Sequence, residues 1–141
     1  MNISAGWEHN LAMTYNKRCY SWGNNQSGQC GIGSGNTIYN PTIIDELENI
    51  KQLAIGNDHS LALLENGDVY SWGKAEGGVL GYIEKEIEYT PKKINSLKNI
   101  DKIYAGSLHN VAVSNDGLVY SWGCGEGGQL GLAENILVIL F

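Results

Sequence analysis

The sequence predicts an all-β chain made of repeated units of four short antiparallel strands, and three observations predict it. Tyr-Ser-Trp-Gly occurs three times, at 20–23, 70–73 and 120–123, each copy 50 residues from the last. Around these copies, short alternating apolar runs are bounded by Gly, Asn-Gly or Asp-Gly turn signals, the pattern of hairpin strands. No long stretch carries the 3.6-residue periodicity of an amphipathic helix. A fixed period of this size marks a repeat architecture, in which one unit buries its faces only by stacking on the next. The repeats divide as 1–50, 51–100 and 101–141.

The remaining landmarks keep the same register. Gly6, Gly56 and Gly106 lie 50 apart, as do His9, His59 and His109. Ala12, Ala62 and Ala112 follow. Trp22, Trp72 and Trp122 each precede a glycine, Gly23, Gly73 and Gly123. Gly28, Gly78 and Gly128 come next, then Gly31, Gly81 and Gly131.

The second repeat shows the elements in order. Residues 50–55 form a strand candidate that Gly56 ends. Residues 59–64 alternate the large Leu61 and Leu63 with the small Ser60 and Ala62. Asn66-Gly67 then predicts a type I′ turn, which needs positive φ at both central residues. Asp116-Gly117 serves equally well in the third repeat. Asn16-Lys17 stands in the first, and lysine is a poor residue at positive φ. That hairpin is therefore expected to be the loosest, or to use another turn. On the returning strand, Val69 and Ser71 face one way and Tyr70 and Trp72 the other. A glycine-rich loop follows each Trp-Gly pair: 23–31, 73–81 and 123–131. Pro41 and Pro91 are then expected to open a fourth strand, at Thr42-Ile43-Ile44 and Lys92-Lys93-Ile94, since proline is tolerated at a first strand position. Residues 84–88 read as a solvated acidic loop.

A four-stranded sheet with aromatics on one face and small or apolar residues on the other is covered on both sides. Sheets packed face to face around an axis are the blades of a β-propeller. The alanines at 12, 62 and 112 would let blades approach closely, with the Tyr–Trp pairs filling the gap.

Composition narrows the function classes. Nine basic and fifteen acidic residues give a net charge of −6, which argues against binding a phosphate backbone over the whole surface. Lys92, Lys93 and Lys98 form a local basic cluster that reads as a solvated face. No N-terminal signal pattern is seen, and the longest apolar run, residues 136–141, falls far short of the roughly 18 residues that cross a bilayer. It reads as a replaced strand or an unrelated tail. Cys19 and Cys30 occupy slots filled elsewhere by Val69, Val119, Leu80 and Leu130, so both read as buried hydrophobes. Cys124 falls in a loop slot and is expected to be an exposed thiol. Cysteine spacing suggests neither disulfide nor metal site, which fits a reducing intracellular compartment, cytoplasmic or nuclear. The sequons at Asn2 and Asn25 are read as coincidental.

Three motifs invite a chemical reading and fail it. Residues 123–128 spell the dinucleotide-binding glycine fingerprint, but no helix follows. Asp58-His59-Ser60 resembles a catalytic triad, yet strand neighbours point to opposite faces, and the other repeats lack the Asp or the Ser. The three histidines belong to three blades, too far apart to share one metal ion. They are expected to bond structural groups. No catalytic, cofactor-binding or metal-binding residue is therefore assigned.

The order Gly-x-x-His, hairpin, Tyr-Ser-Trp-Gly, then Gly128-Gln129-Leu130-Gly131 resembles the regulator of chromosome condensation repeat family. Gly28-Gln29-Cys30-Gly31 and Gly78-Val79-Leu80-Gly81 are its variants here, and the resemblance spans essentially the whole chain. It implies a seven-bladed propeller, of which this chain holds about three blades. Most of the first repeat's leading strand is expected to be missing, and the third repeat to lack its last strand. The expectation is a piece of a longer propeller, or a chain that needs further blades or self-association to cover its open faces. The functional expectation is a protein-interaction module. The alternative, also implied by the resemblance, is guanine nucleotide exchange on a Ran-type small GTPase. Exchange would call for a wedge-like insertion, and the unbroken register from Gly6 to Gly131 leaves no room for one.

Overall fold

The structure, a computed structural model, describes residues 2–82 and 85–132. The strands form three antiparallel sheets in chain order, one for each sequence repeat. The first holds β1 (Asn2–Ala5), β2 (His9–Met13), β3 (Cys19–Gly23) and β4 (Ile38–Ile43). The second holds β5 (Ile50–Ile55), β6 (His59–Leu64), β7 (Val69–Lys74) and β8 (Ile87–Lys93). The third holds β9 (Ile100–Ala105), β10 (His109–Ser114) and β11 (Val119–Gly123). Among the described residues the one helical element is a 3-10 turn at Glu76–Gly78. The acidic loop is described only in part, and the apolar run at 136–141, like the slot for a fourth strand in the third sheet, lies outside the described residues.

Each sheet is a meander, with neighbours in sequence paired in space. The leading strands β1, β5 and β9 lie side by side and innermost, so the sheets radiate from a common axis as propeller blades do. The leading strand of the first blade is present, shortened to four residues against six in β5 and β9. This corrects the expectation that most of it is missing.

Two turn expectations are also corrected. The hairpins close with a three-residue loop in which only the last residue has positive φ: Lys17 at 63°, Gly67 at 84° and Gly117 at 86°. The amides of these residues donate to Thr14, Leu64 and Ser114 respectively, at 3.0 Å each. This is the one-left-handed-residue loop, not the type I′ turn. The physical reason lies in side-chain bonds that hold the second loop residue right-handed, as where Asn66 Oδ1 accepts from the Asp68 amide at 3.0 Å. The first hairpin uses the same turn as the others, with Lys17 strained into the glycine slot.

The prolines do not open the last strand. Pro41 and Pro91 lie inside β4 and β8, on the outer edge of each blade. There the ladder is interrupted, between Ser21 and Gly23 and between Ser71 and Gly73. An edge strand at a bulge asks for no amide donor, so proline fits.

Two cores fill the gaps between blades. The first joins Leu11, Met13, Cys19, Ile44 and Leu47 of the first blade to Leu53, Ile55, Ala62 and Trp72 of the second. The second joins Leu61, Leu63, Val69, Ile94 and Leu97 of the second blade to Ile100, Ile103, Ala112 and Trp122 of the third. One face of each blade thus meets the opposite face of the next, and Ala62 and Ala112 are fully buried there.

Candidate interaction surface

The recurring His, Trp and Gly residues meet at the junctions between blades. Trp72 Nε1 donates to the Gln29 carbonyl of the preceding blade at 2.9 Å, and Trp122 Nε1 donates to the Val79 carbonyl at the same distance. Those carbonyls sit in the glycine-rich loops. Ser60 Oγ also donates to the Gln29 carbonyl at 2.9 Å, and Asn110 Nδ2 to the Val79 carbonyl at 2.8 Å. Each loop of one blade is therefore clamped by two donors of the next.

The histidines complete the clamp. His9 Nε2 lies 2.8 Å from Ser60 Oγ, and His59 Nε2 lies 2.7 Å from Asn110 Oδ1. Ser60 spends its only proton on Gln29 and the Asn110 amide is oriented by Val79, so each imidazole donates through Nε2. The Nδ1 atoms of both rings are buried without a partner. A proton there would be a buried unpaired charge. Burial, aided by the neighbouring histidine, holds His9 well below its ordinary value, at about 4. Burial likewise lowers His59 to about 4, against the opposing bond to Asn110. Both rings are neutral near pH 7.

The glycines are where these parts touch. A Cβ on Gly56 would lie 2.0 Å from the His59 ring and one on Gly106 2.2 Å from the His109 ring, whereas one on Gly6 would first meet the Ile55 side chain of the next blade, at 2.4 Å. Gly23, Gly73 and Gly123 press against the backbone of the turn before β2, β6 or β10. Gly31 approaches the Trp72 indole so closely that a Cβ would lie 2.6 Å from Nε1. Gly81 occupies that position against Trp122, while Gly28, Gly78 and Gly128 take positive φ inside the loops. Ser21, Ser71 and Ser121 hold each loop to its own blade, donating to the carbonyls of Cys30, Leu80 and Leu130 at 2.7–2.8 Å. Trp22 and His109 stand at the outer faces of the end blades, half-exposed. Burial pushes the Cys19 thiol up to about 12 and Cys30 to about 11, so neither is a ready nucleophile. Cys124, expected to be exposed, is half-buried.

The strand directions place the turns after β1, β5 and β9 on the same rim as the glycine-rich loops. There the triplets Ala5-Gly6-Trp7, Ile55-Gly56-Asn57 and Ala105-Gly106-Ser107 line a recess of about 400 Å³ around the axis. Trp7 stands 77 % exposed at its edge. Asn57 and Ser107 hold the equivalent positions, and the Asn57 amide donates to the Ser107 carbonyl at 3.1 Å. Among the described residues the turns and loops at this end of the blades carry Glu8, Asp58, Glu76, Glu86 and Glu126 against Lys74 and Lys85, with Lys74 paired to Glu76 at 2.6 Å. Sequence reasoning missed Trp7, because the repeat changes residue type at that slot and periodicity carries no signal there. It also missed Leu47 and Leu97, fully buried in the connectors, although these do recur at 50 residues.

Among the described residues no cluster of His, Cys, Asp or Glu could hold a metal ion, and no helix is long and apolar enough to cross a membrane. The fold and its clamps define the class, a set of propeller blades held by a repeating His–Trp–loop junction. Sequence profiles place the family. The regulator of chromosome condensation (RCC1) repeat matches residues 17–63 and 66–113, and a second profile of that repeat matches 2–29, 50–78 and 100–129. The chain belongs to the RCC1 repeat family.

Solved structures agree. The Saccharomyces cerevisiae protein Prp20p, in a crystal structure reported with its binding to Gsp1p and histones, aligns at a TM-score of 0.82 with 32 % identity over 94 % of this chain. Yeast RCC1 (Prp20) bound to Kap60 aligns at a TM-score of 0.85 with 32 % identity over 99 % of the chain. The mouse secretion-regulating guanine nucleotide exchange factor is 47 % identical over 45 residues, 32 % of this chain. The chain spans 35 % of each yeast chain and 10 % of the mouse protein.

Proposed function

We propose that the chain is a protein-interaction module whose partner docks on the glycine-loop rim, over the axial recess. The observation that carries this is Trp7, a 77 % exposed indole at the edge of a recess lined by three blades. Exposed aromatics that become buried on binding are frequent anchors of interface hot spots. The acidic surroundings favour a partner with a basic contact surface. The buried titratable groups are committed to the blade junctions, so the reading assigns no bond-making chemistry. The free cysteines, Cys19, Cys30 and Cys124, support an intracellular setting, cytoplasmic or nuclear.

The test is a photo-crosslinking amino acid placed at Trp7 and, as control, at Tyr39, which is 87 % exposed on the outer strand β4. Discrete adducts with a protein partner are expected from position 7 alone. Equal adducts from both positions, or none from position 7, would remove the rim reading.

The similarity to a guanine nucleotide exchange factor and to the Gsp1p-binding Prp20p favours a second reading, exchange on a small GTPase of the Ran type. An exchange factor binds the nucleotide-free GTPase more tightly, and linkage makes its own affinity fall when nucleotide returns, by about 1.4 kcal/mol for each tenfold of coupling. Such a GTPase loaded with fluorescent GDP reports this directly. Unchanged release in the presence of the chain rules exchange out for these three blades.

A further inference from the structure

Asn66-Gly67 lies at the hairpin tip between β6 and β7, and of the chain's asparagines Asn66 alone precedes a glycine. That pair carries a chemistry as well as a turn preference. Glycine has no Cβ to hinder its amide nitrogen, so the nitrogen can reach the side-chain carbonyl of the residue before it. The Gly67 nitrogen loses its proton to hydroxide and attacks Asn66 Cγ, which closes a succinimide ring while the side-chain nitrogen leaves as ammonia. Water then opens the ring at one carbonyl or the other, giving aspartate at 66 or its isomer with a lengthened backbone. No catalyst is required. The reaction needs water, an unbonded Gly67 amide and an Asn66 side chain free to turn back on its own backbone.

The folded hairpin withholds the last two. The Gly67 amide donates to the Leu64 carbonyl at 3.0 Å, and the Gly67 carbonyl accepts from the Ile100 amide at 3.2 Å, tying the tip to the start of β9. Gly67 is buried, although Asn66 beside it is exposed. The Asn66 side chain is held at both ends by Asp68. Oδ1 accepts from the Asp68 amide at 3.0 Å, and Nδ2 donates to Asp68 Oδ2 at 3.1 Å. That same Oδ2 accepts from Lys93 Nζ at 2.7 Å, which fixes the carboxylate against β8.

We infer that Asn66 is a site of spontaneous deamidation guarded by Asp68, and that it reacts only in molecules whose hairpin has opened. The rate in the folded chain is then the rate of the open form scaled by its population, which local stability sets. The product cannot be clamped again in the same way. Aspartate at 66 has no Nδ2 donor for Asp68 and places a second carboxylate beside the one that Lys93 neutralises. The isomer adds a methylene to the backbone between Leu64 and Asp68, whose amide and carbonyl are bonded across the turn at 2.9 Å. Each modified hairpin therefore opens more readily than the original.

The experiment incubates the 141-residue chain at mildly alkaline pH, folded and in concentrated urea, and follows its asparagines by peptide mass spectrometry. An Asn66→Asp chain serves as the standard for one product. In urea Asn66 should convert before any other asparagine. In the folded chain its conversion should be at least about tenfold slower, the factor being set by the closed population. Asp68→Ala, checked by circular dichroism for folding, removes the Nδ2 bond and should speed conversion in the folded chain by about threefold or more. Lys93→Ala leaves the clamp in place but frees the Asp68 carboxylate from β8, and should speed conversion by a smaller factor. Equal rates in the folded chain and in urea overturn the proposal, as does a folded rate that neither substitution raises. Earlier conversion of another asparagine in urea overturns it as well.

Discussion

Strands β2, β6 and β10 occupy the same place in the three blades, yet they are buried differently. In β6 every residue from His59 to Leu63 is buried. In β2 only His9, Leu11 and Met13 are buried, while Asn10 and Ala12 are half-exposed. In β10 the pattern inverts, with Asn110, Ala112 and Ser114 buried. The three sequences differ little. What differs is the neighbour, which covers one face of the first blade, both faces of the second and the opposite face of the third. A blade is therefore a two-sided element whose stability belongs to its junctions, as nearest-neighbour repeat energetics require.

The sharpest way to test this comparison is to remove the same residue from two blades. Trp72→Ala deletes a fully buried indole and its bond to the Gln29 carbonyl, and should cost about 3–5 kcal/mol. Trp22→Ala removes a half-exposed side chain and should cost about 1–2 kcal/mol. Urea denaturation of both variants measures the difference. Equal losses would break the claim that the junction, not the blade, holds the energy.

Acid should loosen the junctions next. The folded chain takes up protons on His9 and His59 only near pH 4, whereas the unfolded chain does so near the ordinary value of 6.5. Between those values the unfolded state binds more protons, so this stability is full above about pH 6.5 and drains away as pH falls toward 4. Each ring accounts for at most about 3 kcal/mol. His59→Gln should flatten the decline measured by denaturation across that window, even if the variant starts out less stable.

A smaller contrast separates two glycines of equal backbone geometry. Gly31→Ala and Gly131→Ala share the strain of positive φ, but only the first drives a methyl into the Trp72 indole. Gly31→Ala should cost about 1–2 kcal/mol more by thermal unfolding. The smallest effect concerns the first hairpin. Lys17→Gly relieves the left-handed strain but loses the half-exposed ion pair to Glu65 at 2.8 Å, leaving a gain of no more than about 1 kcal/mol.

How much could be read beforehand depended on whether a residue's role repeated. The Trp-Gly pairs and the Gly-x-x-His spacing announced sheets of short strands, because each blade solves the same packing problem with the same residues. The turn type escaped, since Asn66-Gly67 suits both the two-residue and the three-residue loop until the strand register chooses. Pro41 and Pro91 misled for a related reason. Proline reports that an amide is unpaired, not whether the strand has begun. Trp7 left no trace at all, being one aromatic at a slot where Asn57 and Ser107 differ.

The amino-acid order by itself determined the period and the all-β character, because local alternation and turn preference act over a few residues. Tertiary structure alone decided that His9 and His59 bond the following blade and that Gly31 lies under an indole. These depend on one sheet's position relative to another, and contacts between residues some 50 positions apart are set by how the blades stack rather than by local backbone preference.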